Sequence, residues 1–302
     1  MATQVSRQRY LFSEPGTYYI DLFKSLSAQE RRLVRQGQVA KVMGGLIKDS
    51  NNESVVRINV APDTWVTRTA WRRGKKMWDM HIKEATEGLD GRLKPKYHDY
   101  KVYLNNVMGG GPTLPVDAAG NTIPSGEWGY SEYHSEDIDW ADPNLTLTSN
   151  RQADTFSAAL VGSHVGTPQN WARIGLIQSW IESRAFNDDF PQGNVPNTVE
   201  TDPLNNLFDE ADAADEVIEM LRTVNEEAPY NESTHFGNNE PNASHNNLQR
   251  VAFAATQTGA GQIAALNGFS AICGLIEVHI TQGVGSGEVE LLLDVATKGE
   301  KI

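Results

Sequence analysis

Short apolar or alternating runs, each bounded by Gly, Pro, Asn or Asp, recur along this 302-residue chain, and their spacing constrains the fold more than any other feature. Pro removes a ladder donor, while Gly, Asn and Asp favour turn geometry, so each boundary ends a strand. A long series of such runs is the pattern of a mostly β protein with many strands. The expected strands are 18–23, 38–47, 54–60, 100–104, 130–134, 145–148, 155–161, 174–181, 248–256, 272–280 and 288–295. Glu277, His279, Glu288 and Glu290 alternate with apolar neighbours on either side of residues 282–287, which reads as a hairpin with one wet face near its tip. The residues before the first expected strand read as an arm in which, through Glu14, only Arg7 and Arg9 are basic.

Two helices interrupt the series. One near 66–87 places Trp71, Trp78, Ile82 and Ala85 on one stripe and Arg68, Arg72, Lys76 and Lys83 on another. The other, near 209–225, opens with Asp209, Glu210, Asp212 and Asp215, favourable beside a helix N-terminus, and buries Val217, Met220, Leu221 and Val224. Segments 109–129, 186–207 and 229–247 are polar and rich in Gly, Pro and Asn, and loops of that length are functional or mobile insertions. No fixed-period repeat and no clean linker divides the composition, so one domain with long insertions is expected.

Charge is split by position. Residues 1–101 hold 19 Lys+Arg against 11 Asp+Glu, and residues 102–302 hold 7 against 28, which is +8 beside −21. Such asymmetry speaks of partners, and points either to nucleic acid or to the acidic part of another copy. The 39% apolar and 22% charged fractions are those of a folded soluble chain, and no run approaches the ~18–20 apolar residues of a membrane span. The opening MATQVSRQRY has no apolar core of a signal peptide, so synthesis in the cytosol is expected. A single cysteine, Cys273, excludes an intrachain disulfide and reads as a small buried hydrophobe.

The search for chemistry yields little. Glu132, Glu136, Asp137, Asp139 and Asp142 are close enough in sequence to hold a hard cation such as Ca²⁺, but they lack the glycine and terminal Glu of an EF-hand loop. A solvated acidic loop or a contact between subunits is the favoured reading of them. The same carboxylates, Glu132, Glu136 or Asp139 above all, are the material of a glycosidase pair, which needs a separation the sequence does not fix. None of the seven histidines sits in a zinc motif, and Gly109-Gly110-Gly111-Pro112 lacks the Lys of a phosphate loop. No catalytic residue, cofactor or small-molecule substrate is expected.

The basic residues carry more. Arg31, Arg32, Arg35, Arg68, Arg72, Arg73, Lys75, Lys76 and Lys83, with Lys94 and Lys96, lie near Trp71, Trp78, Tyr97 and Tyr100 in sequence. Cations mixed with aromatics suit phosphate neutralisation with base stacking. The tryptophans also fall on the apolar stripe of the first helix, where they read as core, leaving a solvated or subunit-facing basic surface.

Gly16-Thr17-Tyr18-Tyr19-Ile20-Asp21-Leu22, followed by Arg31-Arg32-Leu33-Val34-Arg35-Gln36-Gly37-Gln38, resembles the start of capsid proteins from small circular single-stranded DNA viruses. Pro62-Asp63-Thr64-Trp65, the helix from Trp71, residues 94–103 and the closing segment to Gly299 are similar to the same group, so the likeness covers about the first 105 residues and the last 30. It implies a jelly-roll sandwich with long loops and inserted helices, a major capsid protein that self-assembles into an icosahedral virion, and no enzyme. Small capsids of this type often carry an Arg/Lys-rich arm facing the genome, and none is visible here. The implied partners are other copies of the chain and either genomic DNA or an internal membrane. About eleven expected strands against the ~16 of two eight-stranded rolls favour a single roll over a double roll divided near 110–150. The rival readings are a receptor- or glycan-binding β-sandwich and, behind it, a carbohydrate-active enzyme.

Overall fold

The computed structural model describes residues 4–50, 54–86, 97–109, 111–126, 128–135, 154–167, 170–183, 237, 247–256, 263–281 and 288–302. By its contacts the chain divides into two compact units, Met1–Glu182 with Phe236–Ile302, and Ser183–His235. Of the second unit only Ser183 is described, so the helix expected near 209–225 and the segment 186–207 lie outside the described residues, as does the strand expected at 145–148.

Two four-stranded antiparallel paths form the framework of the first unit. The strands are β1 (Val5–Phe12), β2 (Gly16–Asp21), β3 (Gln38–Asp49), β4 (Val55–Val60), β9 (Gln249–Ala255), β10 (Ile263–Ile272), β11 (Leu275–Thr281) and β12 (Val289–Ala296). One sheet has the order β1-β12-β3-β10, with the short β13 (Glu300–Lys301) also on β3, and the other has the order β2-β11-β4-β9. Alternation decides which side chains point inward. Tyr10, Leu291, Ile47 and Ala264 stand in register across the first sheet, and Tyr18, Val278, Ile58 and Ala252 across the second. Both rows belong to one apolar cluster, so the two sheets pack face to face and the protein is mostly β.

Between β4 and β9 the chain leaves the sandwich. It forms α2 (Trp65–Thr86), a small sheet of order β5-β6-β8-β7 (Glu132–Ser135, Asp154–Ala159, Asn170–Gly175 and Val165–Thr167) and α3 (Leu176–Glu182). The β6–β8 pair is parallel. A second cluster, built around Trp71, Trp78, Tyr100, Tyr133, Ile177 and Trp180, holds this region together and reaches Val39, Ile272, Cys273 and Leu275 of the sandwich.

The structure corrects several sequence expectations. The segment expected as an arm is β1, whose inner face carries Gln8, fully buried with its amide nitrogen donating to the Leu22 carbonyl at 3.0 Å. The strand expected over 18–23 stops at Asp21, which caps α1 (Leu22–Glu30) by accepting from the Phe23 and Lys24 amides. The run 174–181 changes from strand to helix after Gly175, because a short apolar run does not announce its own period. Residues 100–104 form no regular strand, only a bridge from Tyr103 to Ala159. The strand expected over 272–280 is broken at Cys273 and Gly274, both with positive φ, where the chain passes from one sheet to the other. A side chain at Gly274 would lie 2.6 Å from the Phe23 ring, so this corner needs glycine. The expected hairpin is likewise corrected: β11 and β12 belong to different sheets. Apolar alternation on both strands reports the shared interior, not a mutual pairing. Glu277, expected on a wet face, is fully buried and accepts from the Asn59 amide at 2.9 Å.

Candidate interaction surface

The helix expected near 66–87 lies over Trp65–Thr86 as α2, and the cations singled out in the sequence are carried on it and just beyond α1. Thr64 starts it, accepting from the Thr67 amide at 3.2 Å through its hydroxyl and from the Arg68 amide at 3.1 Å through its carbonyl. Val66, Ala70, Trp71, Gly74 and Trp78 form its buried stripe. Gly74 sits where a methyl group would come within 2.6 Å of the Tyr100 hydroxyl and 2.7 Å of Leu176. Its carbonyl accepts from Tyr133 Oη at 2.9 Å, and that hydroxyl lies 2.6 Å from Tyr100 Oη. Burial pushes the phenols of Tyr100 and Tyr133 up, so both stay neutral and able to donate.

The nine cations do not form one surface. Arg31 takes the left-handed position that ends α1 (φ 53) and is exposed, while Arg32 pairs with Glu30 at 2.5 Å. Arg35 donates to the His98 carbonyl and lies 3.8 Å from Asp99. Arg68 grips Asp63 through two bonds of 2.7 and 3.0 Å and reaches Glu300 at 3.3 Å. Lys75 is paired with Asp79 one turn on. Arg73 donates to the Ser179 carbonyl of α3 at 3.4 Å. That leaves Arg72, Lys76 and Lys83, exposed and without an ion pair among the described residues. They follow one another at i, i+4 and i+11 on the outer stripe of α2, beside Met77 (53% exposed) and Met80 (55%).

Trp71, Trp78 and Tyr100 are buried, so of the four aromatics that suggested base stacking only Tyr97 is exposed, at 64%. One face of Trp78 is stacked on His98, with ring centres 4.4 Å apart. Beside this stack, a pocket of about 170 Å³ gathers Arg35, Lys75 and Lys301 with Asp99. Burial pushes the Asp99 carboxyl up, partly offset by the Gln36 amide that donates to it at 3.0 Å and by the Arg35 and Lys101 charges. A neighbouring cleft of about 320 Å³ is lined by Tyr97, His98, Lys101, Tyr130, Glu132 and His134, among others. Lys101 Nζ lies 4.5 Å from the Trp128 ring, and burial pulls its ammonium down.

Glu132 is exposed on β5, whereas Glu136, Asp137, Asp139 and Asp142 lie outside the described residues. Among the described residues no three His, Cys, Asp or Glu come together as a metal site, and no helix is long and apolar enough to cross a membrane. Cys273 is fully buried, and burial pushes its thiol well up.

What the sequence reading missed is the polar seam between the sandwich and the α2 region. Gln36, fully buried, donates to Asp21 at 3.2 Å and to the Val102 carbonyl at 3.1 Å, and accepts from the Val102 amide at 2.6 Å. Desolvation pushes the buried Asp21 carboxyl up to about 6 despite these bonds. Arg173 forms a second clamp, inside the stretch between β4 and β9. Its guanidinium donates to the carbonyls of Asn105, Asn106 and Met108 at 3.1–3.3 Å and stacks on Tyr103 at 3.7 Å. Neither clamp shows in the sequence, because the backbone carbonyls that each binds are more than 60 residues away. Comparison of the chain with protein-family models, curated proteins and solved structures finds no match.

Proposed function

We propose that this chain is a structural subunit of a viral shell, a single jelly roll whose copies self-assemble into closed particles around a genome. The strand order carries the reading. Successive strands β1 to β4 alternate between the sheets, β9 to β12 alternate again, and the pairs interleave as β1-β12-β3-β10 and β2-β11-β4-β9. That interleaving is what results when a long antiparallel ribbon is rolled up, and jelly rolls serve as capsid, lectin and cupin domains. Fold alone does not select among these. Apolar side chains from both sheets fill the interior, which supports a structural role over a ligand held between the sheets. The likeness of the first 105 and last 30 residues to small single-stranded DNA virus capsids favours the shell. Among the described residues the small sheet has four short strands with a parallel pair, which supports one roll over two.

Light scattering and negative-stain micrographs of the purified chain test the proposal. Closed particles or capsomers are expected, and a chain that stays monomeric across salt and pH overturns it. The cleft lined by Tyr97, His98, Asp99 and Glu132 favours a second reading, glycan binding by an aromatic platform with polar side chains. Saturable glycan binding by a compact oligomer that forms no shell would select that reading.

A further inference from the structure

We infer that the outer stripe of α2 is the docking surface for the acidic segment Ser183–His235 of a second copy of the chain, an inference that rests on the self-assembly reading and names its contact. The stripe is built for a partner. Arg72 and Lys76 are like charges one turn apart, an arrangement that destabilises a lone helix. Every other cation of α2 is satisfied within the fold: Arg68 by Asp63 and Glu300, Lys75 by Asp79, and Arg73 in part by the Ser179 carbonyl. Arg72, Lys76 and Lys83 are left facing outward, with Met77 and Met80 half-exposed between them. Arg, Met and Trp are enriched in protein interfaces, and half-exposed Trp65 begins the same helix.

The occupant follows from charge. Ser183–His235 forms a compact unit of its own and holds 13 Asp and Glu against two Arg, a net charge of −11, in a chain whose total is −13. The acid that α2 lacks is therefore concentrated in one stretch of the same sequence. A contact of one patch with a different patch on the next copy is heterologous, so it propagates and can close into a ring or shell. Opposite patches also steer encounter and disfavour wrong registers.

Two charge-reversed full-length chains test the inference. In one, Arg72→Glu, Lys76→Glu and Lys83→Glu reverse the stripe; in the other, Asp209→Lys, Glu210→Lys, Asp212→Lys, Asp215→Lys, Glu216→Lys and Glu219→Lys turn the segment from net acidic to net basic. Circular dichroism and melting first establish that each folds. Association is then read by sedimentation and light scattering at low and high salt. Each variant alone should need about tenfold or more higher concentration to associate. An equimolar mixture should recover association, because each copy's α2 then meets a segment of opposite sign on its neighbour. Wild-type association should weaken as salt rises. If the segment variant misfolds, the α2 variant with the salt series still decides. Association unchanged by reversal and salt overturns this inference and leaves the shell reading standing. So does loss of co-purified nucleic acid with association unchanged, or a defect in each variant that mixing fails to rescue. A wild-type chain that never associates overturns both.

Discussion

The sandwich and the α2 region are both packed around buried side chains, but by different means. The interior between the two sheets is mainly aliphatic, with Ile47, Ile58, Val278, Leu291 and Leu293 drawn from strands far apart in sequence. The second cluster is aromatic, and its members carry polar handles, as in the Tyr100–Tyr133–Gly74 chain. Aliphatic cores gain from non-directional burial and tolerate small shifts, whereas hydrogen-bonded aromatics fix positions. The difference teaches that the sandwich supplies stability while the inserted region supplies a precisely held outer surface, the basic stripe of α2.

Substitutions can break that contrast in order of size. Trp71→Ala should cost about 3–5 kcal/mol and, by hydrogen exchange, loosen α2 before β3 and β12. Leu291→Ala should cost about 2–5 kcal/mol and lower protection in the sandwich and the inserted region together. Simultaneous loss after Trp71→Ala would show that the two regions are one cooperative unit. Gly74→Ala forces a methyl group against Tyr100 and Leu176 and should cost about 1–3 kcal/mol, although alanine favours a helix elsewhere.

The seam has a pH signature. The Asp21 carboxyl is raised from 3.8 to about 6 in the folded chain, so the folded state holds its proton more tightly than the unfolded one. Its contribution is fully present below pH 3.8 and is lost as pH rises through about 6, a change of about 3 kcal/mol. Asp21→Asn keeps a capping side chain and should flatten stability between those values in denaturant titrations. A slope unchanged by the substitution would assign the dependence to another group. Smallest of all is Arg7→Ala, which removes an exposed pair with Asp294 on the outer sheet face and should leave the melting temperature unchanged.

Much of this architecture is legible in the sequence where one period dominates. The runs at 38–47, 54–60, 248–256 and 288–295 overlap β3, β4, β9 and β12, and 3.6-residue spacing places α2. β1 escapes because Gln8 breaks its apolar inner face with a polar group satisfied by the Leu22 carbonyl at the start of α1 and by the Tyr10 hydroxyl. β10 escapes because its Ala264-Ala265-Leu266-Asn267-Gly268 stretch lacks the β-branched residues that mark strands. For the surface, composition finds the cations but not which of them are spent. Arg68 is neutralised partly by Glu300, 232 positions on, a distance no local pattern spans.

The interleaved strand order also dictates when the fold can close during synthesis. β12 lies between β1 and β3, and β11 between β2 and β4, so an interior place in each sheet is taken by a strand made long after its neighbours. Until then β1, β2, β3 and β4 leave the ribosome with open backbone edges, the kind of surface that invites wrong pairing between nascent chains. Holding those edges apart is work for chaperones, and a ribosome stalled before residue 275 would carry a chain that has its hydrophobic faces but not the strands that join them.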